Sequence, residues 1–128
     1  MNRNVEVNYQ SIIIDENKQK ETIRFQRIGK HKVTNKQYHL IFELDNQVMM
    51  TIIYFEDCVN FMYGKNNLKF KLDKRIENLY HTLHGAILLS FNLKKIHYSK
   101  HDFKMVYEIS QQQKIISKIY LSINLKEI

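Results

Sequence analysis

The residues with the widest chemical range in this chain are its histidines and its one cysteine, and their spacing argues against a reactive centre. His81 and His84 stand three apart, a separation that shares a face on a helix but reaches opposite faces on a strand. The segment around them reads as strand, so one buried and one exposed imidazole is expected rather than a metal clamp. His97 and His101 have the spacing of a helical zinc pair. Tyr98-Ser99-Lys100 between them reads as a turn, however, and no acidic third ligand lies close in sequence. No metal site is therefore expected. Cys58 follows Asp57, and a neighbouring carboxylate raises a thiol pKa instead of activating the thiol. None of the serines at 11, 90, 99, 110, 117 and 122 stands in a Gly-x-Ser-x-Gly elbow, and the three glycines build no phosphate-cradling loop. The sequence shows no catalytic constellation and implies no cofactor, so an enzyme is the least supported class.

A ligand-binding set is better supported. Tyr80, Thr82 and His84 share one face of a strand that ends at Gly85, and Ser90 and Asn92 share a face of the next strand with Ala86 and Leu88. Facing a barrel interior, the small residues would leave space and the polar ones would offer hydrogen bonds, which is the makeup of a small-molecule pocket. The competing arrangement turns Ile87, Leu89, Phe91 and Leu93 inward and leaves the polar set on the surface. Hydrophobicity favours this second arrangement for the 86–93 strand, while the preceding strand has no clear apolar face with which to decide.

Both arrangements need a β scaffold, and the whole chain reads as one. Apolar and polar residues alternate in short stretches, from Val5-Val7-Tyr9 to Phe103-Met105-Tyr107-Ile109 and Ile115-Ile119-Leu121-Ile123-Leu125. About ten strands are expected, separated by turn clusters such as Asp15-Glu16-Asn17-Lys18, Asp45-Asn46, Glu56-Asp57 and Gly64-Lys65-Asn66-Asn67. The first spans about 5–14 and the second about 21–28, stopping at Gly29; another covers about 77–84. Nearly every connection is hairpin-sized, which selects a closed up-and-down barrel over a Greek-key sandwich, and closure removes exposed edges. The expected fold is all-β: one antiparallel up-and-down barrel of about 8–10 strands spanning residues 1–128, wide enough to hold a small ligand.

With 128 residues, 44% apolar and 12% aromatic, the chain can bury roughly two-thirds of its unfolded surface as one domain. No apolar run of membrane-spanning length and no apolar leader is visible, and the single cysteine cannot form an internal disulfide, so a cytoplasmic location and no membrane partner are expected. The net charge of +7 raises a nucleic-acid partner, with Arg24, Lys69, Lys71, Lys94, Lys95 and Lys104 as phosphate contacts. Lys, Asn, Ile, Tyr and Phe are abundant together, the signature of AT-rich codons, and the lysines are dispersed. Composition bias therefore accounts for the charge better than nucleic-acid binding does. The stretch Val48–Phe55 breaks the alternation: with Val48, Met50, Ile52 and Tyr54 on one face, Met49, Ile53 and Phe55 form an outer apolar row. That row requires a cover, either the Gly29–Lys36 connection or a second copy of the chain in a homodimer.

Several segments carry a family resemblance. The runs Ile23-Arg24-Phe25-Gln26-Arg27-Ile28-Gly29-Lys30, Phe61-Met62-Tyr63-Gly64, Tyr80-His81-Thr82-Leu83-His84-Gly85 and Ile119-Tyr120-Leu121-Ser122-Ile123 resemble the DUF1934 (YwiB-like) proteins. The family often carries arginine where Tyr63 stands and an aromatic where His84 stands. The resemblance covers nearly the whole chain and implies a small, calycin-like (lipocalin-like) bacterial β-barrel with no established activity. Together these readings lead to a barrel that binds a small amphipathic or anionic molecule in its interior or at its mouth. The alternative is a macromolecule-binding module using the basic exterior.

Overall fold

A computed structural model of the protein describes residues 2–128 and is almost entirely strand. Ten strands follow one another: β1 (Asn2–Asp15), β2 (Lys20–Thr34), β3 (Gln37–Glu43), β4 (Met49–Phe55), β5 (Cys58–Tyr63), β6 (Asn66–Lys71), β7 (Arg75–Thr82), β8 (Gly85–Tyr98), β9 (Asp102–Gln111) and β10 (Lys114–Glu127). One 3-10 turn, Asp45–Gln47, joins β3 to β4. The strands form a single antiparallel sheet in the order β6-β5-β4-β3-β2-β1-β10-β9-β8-β7, so every chain neighbour is also a sheet neighbour except β6 and β7. The sheet curls until those two terminal strands meet, giving a nearly closed barrel.

The period-2 pattern fixes which side of the wall each residue takes. Val5 and Val7, Leu40 and Phe42, Ile52 and Tyr54, Phe61, Leu68 and Phe70, Phe91 and Leu93, Phe103 and Met105, and Ile123 and Leu125 fill the interior. Burying each such side chain contributes about 1.5–3 kcal/mol. In β8 the inward face is Leu89, Phe91 and Leu93. Two irregularities change the parity. The register slips between Leu93 and Lys95 in β8, after which Ile96 and Tyr98 pack against the core. A second slip between Ile115 and Ser117 in β10 leaves Ile115 half-exposed and turns Ile116 inward. Each added residue re-aims the strand beyond it, as a bulge does.

Gly29 does not end the second strand. β2 runs through it to Thr34, with residues 29–32 paired to β1 and 30–34 paired to β3. A Cβ at Gly29 would stand 2.5 Å from the Ile41 carbonyl oxygen and 3.1 Å from Phe42 Cβ, so glycine is required by the close approach of β2 to β3. The Gly29–Lys36 segment is thus part of the barrel wall and its hairpin, and it does not lie across Met49, Ile53 and Phe55. Met49 is 51% exposed, while Ile53 and Phe55 are half-buried on the outer face of β4.

Gly29→Ala is expected to destabilise the fold by about 1–3 kcal/mol through overpacking against backbone. Urea unfolding of the two proteins measures the difference; equal midpoints would show that β2 and β3 can separate without cost.

Candidate functional site

Up-and-down order puts the end of each odd strand beside the start of the next even one. At one end of the barrel this juxtaposition builds a cup of about 390 Å³. Phe61, Leu68, Leu89 and Phe91 form its apolar depth. Leu44 beyond β3, Met50 near the start of β4, Ile109 late in β9 and Ile116 at the β10 bulge line it higher up. Four tyrosines converge on this space: Tyr9 of β1, Tyr63 at the end of β5, Tyr80 of β7 and Tyr107 of β9. Among the described residues no charged side chain lines it.

Burial holds the hydroxyls of Tyr9, Tyr63 and Tyr107 in their neutral, donating form. Tyr63 and Tyr107 are pushed far above the ordinary phenol value, by desolvation first. A hydrogen bond with Tyr80 adds to the effect at Tyr63, and the nearby hydroxyls of Tyr9 and Tyr80 add to it at Tyr107. Tyr9 is raised by burial and partly relieved by a hydrogen bond with Ser11. Tyr9 also stacks on Phe25, with ring centres 4.4 Å apart, which fixes its ring at the rim.

The wall of the cup is closed between β6 and β7 without a strand ladder. Two asparagines at interior-facing positions reach across instead. Asn66 Oδ1 accepts from the His81 amide at 2.7 Å, and Asn66 Nδ2 donates to the His81 carbonyl at 3.3 Å. Asn78 Oδ1 accepts from the Lys69 amide at 3.0 Å, and Asn78 Nδ2 donates to the Lys69 carbonyl at 2.9 Å. Each side-chain amide thus clasps the backbone N–H and C=O of one residue, as a residue of a neighbouring strand would. Below the clasps the Asp73 amide donates to the Leu93 carbonyl at 2.9 Å, tying the β6–β7 connection to β8.

The opposite end is sealed by a buried polar network. Arg3, on β1, donates through Nε to His31 Nδ1 at 3.3 Å, with Nη2 at 3.1 Å from the same nitrogen and donating to the Lys100 carbonyl. Arginine has no acceptor, so His31 Nδ1 carries the lone pair and Nε2 carries the proton, which points at the Tyr54 hydroxyl 3.0 Å away. Tyr38 and Tyr54 stack at 5.2 Å, and Tyr98 meets both edge-on. Glu127 stands 3.8 Å from Arg3 Nη1 and supplies a countercharge. Desolvation, and secondly the Arg3 charge, push His31 down to about 4.

Of the five residues singled out from the sequence, only Tyr80 lines the cup. Thr82 ends β7 and His84 lies in the turn that follows, where the Thr82 hydroxyl donates to the Gly85 carbonyl at 2.8 Å and accepts from the His84 amide at 3.1 Å. Ser90 and Asn92 lie on the outer face of β8, Ser90 level with Glu77 and Ser110, Asn92 level with Arg75 and Glu108. Ser90 borders an outer hollow of about 600 Å³ together with Arg75, Glu77 and Gln113. His97 is 3.9 Å from Asp102, and among the described residues no group of three or more His, Cys, Asp or Glu side chains could hold a metal ion. Burial pushes the Cys58 thiol up, Lys71 partly offsets it, and Asp57 adds to it. Tyr9, Tyr63 and Tyr107 lay in the alternating pattern as ordinary core residues. Their signal was the presence of four phenols at inward positions on four different strands, which only the register gathers into one place.

The chain is similar in structure to the ywiB protein from Bacillus subtilis, with a TM-score of 0.84 and 18% identity over 99% of this chain and 93% of that chain. At that identity the likeness is one of fold, and the fold is YwiB-like, as the sequence resemblance implied. No family model and no curated protein matches the sequence.

The sealed end gives a pH dependence. The folded value of His31 lies below its ordinary 6.5, so the unfolded chain takes up the proton first. Stability present above pH 6.5 is lost as the pH falls toward 4, by about 3 kcal/mol in all. His31→Gln keeps an acceptor for Arg3 and a donor for Tyr54 but does not titrate. Its unfolding free energy is expected to change less between pH 7 and 4.5 than that of the unmodified protein; parallel curves would show that His31 is not the group responsible.

Proposed function

We propose that the protein binds a small, neutral, largely apolar molecule in the tyrosine-lined cup. The observation that carries this reading is the composition of the lining: a deep apolar surface, four convergent phenols and no charge. An ionised ligand would lose its hydration there without a countercharge, whereas a neutral one loses little and gains hydrogen bonds from hydroxyls that stay protonated. This narrows the amphipathic or anionic ligand expected from the sequence to the neutral class.

A nucleic-acid partner has less support. Lys71 is 3.7 Å from Asp57 and Lys94 is 3.7 Å from Glu108, while Arg24, Lys69, Lys95 and Lys104 are spread over β2, β6, β8 and β9. A second copy of the chain against the outer face of β4 is compatible with the ligand reading. It is favoured by the 51% exposure of Met49 on that face. Ile53→Lys is then expected to convert a sedimenting dimer to monomer without unfolding it; a protein that is monomeric before the change would exclude that contact.

The ligand class is tested with a matched pair of fluorophores. N-phenyl-1-naphthylamine is neutral, and 1-anilinonaphthalene-8-sulfonate is the same skeleton with one anionic group. The neutral probe is expected to bind at least about tenfold more tightly, and Tyr107→Phe to weaken it by about fivefold, the loss of one hydrogen bond. Equal affinity for the two probes, or binding of the anionic probe alone, would contradict the reading.

A further inference from the structure

We propose that the β6–β7 seam is the adjustable wall of the cup, and that Asn66 and Asn78 set the width of the ligand it accepts. The inference rests on the cup being the binding site and adds what determines its selectivity. Every other pair of neighbouring described strands is joined by a backbone ladder, which yields only when several backbone bonds break together. At the seam the backbone N–H and C=O of two residues, His81 and Lys69, are held by two side-chain amides. The seam is therefore the junction at which the barrel can widen with the fewest bonds lost.

Its position makes that widening felt inside. Leu68 of β6 and Tyr80 of β7 flank the seam and both line the cup. Tyr63 is the ladder partner of Asn66, and its hydrogen bond with Tyr80 spans the same junction. A ligand broad enough to push Tyr80 away from Tyr63 and Leu68 loads the Asn66–His81 clasp first, because that clasp lies at the strand ends that form the rim. Release there exposes no dry cavity: Asn67 and Lys69 on β6 and Leu79 on β7 are solvent-exposed neighbours, so water can satisfy the freed peptide groups. Asn66 and Asn78 themselves are only 8% and 6% exposed, so the clasped state is well defined when the cup is empty or holds a narrow ligand.

The test compares 2-naphthol, a narrow neutral phenol, with 1-hydroxypyrene, a wide one. Asn66→Ala is expected to shift the ratio of the two dissociation constants toward 1-hydroxypyrene by at least about fivefold, with 2-naphthol nearly unchanged. In the unmodified protein, which removes any question of whether the variant folds, amide exchange at His81 and Lys69 is expected to speed up when 1-hydroxypyrene is bound and to slow when 2-naphthol is bound. An unchanged ratio, or slowing at both amides with both probes, would overturn the seam proposal while leaving the cup as the binding site. If neither probe binds the unmodified protein, the reading of the cup fails and the seam proposal falls with it.

Discussion

Closure of this barrel depends on two side-chain amides standing in for a strand ladder. A ten-stranded sheet of this length has two terminal edges, and an unpaired edge exposes a row of backbone donors and acceptors to any other strand. Asn66 and Asn78 deal with this by presenting, from each edge to the other, the same donor and acceptor pair that a peptide group presents. The amide is the one neutral side-chain group with that geometry; a leucine would leave the peptides of His81 and Lys69 unpaired, and an aspartate would lack the donor. With the edges held together, Phe70, Phe91 and Tyr107 meet across the interior, and the cup acquires its last wall.

The two ends of the barrel are built from similar residues to opposite effect. At the sealed end, Tyr38 and Tyr54 stack on one another and on His31, Tyr98 meets both tyrosines edge-on, and Arg3 occupies the remaining space. Ring surface meets ring surface there, and Arg3, His31 and Tyr54 join in one chain of polar contacts. At the cup, the phenols of Tyr9, Tyr63, Tyr80 and Tyr107 point at a common volume that they do not fill. The difference comes from backbone register: the slip at Lys94 sends Tyr98 into the sealed end, and the slip at Ile116 gives the cup an aliphatic wall where a regular β10 would give Ile115.

Alternation was legible because it is local. Val5, Val7, Leu40, Phe42, Ile52 and Tyr54 follow their strand parity without help from distant residues, which is why the barrel and most of its strands could be read from the chain. Gly29 was misleading because an in-strand glycine that relieves a steric clash looks the same in sequence as one that ends a strand. Asn66 looked like part of a turn beside Gly64 and Lys65, and Asn78 interrupted the apolar face of β7, so the strand that carries the closure seemed to have no inward side. Arg3 and His31 lie 28 positions apart and meet only through the β1–β2 register. Of the proposed ligand set, Tyr80 faces the cup, while Ser90 and Asn92 follow the opposite parity to Leu89 and Phe91. Hydrophobicity within β8 already favoured that parity; what no single strand contains is the pairing that places Tyr80 beside the tyrosines of β1, β5 and β9.

The proposed ligand binding requires one open, neutral end of the barrel and one sealed end. Nuclear magnetic resonance titration of the protein with 2-naphthol tests it most directly, with side-chain signals assigned at both ends. The ring signals of Tyr63, Tyr80 and Tyr107 and the methyl signals of Leu68 and Leu89 are expected to shift together along one saturable curve, with those of His31 and Tyr54 unmoved. Shifts centred on His31 and Tyr54, or on the outer face of β4, with the cup tyrosines unchanged, would contradict the account.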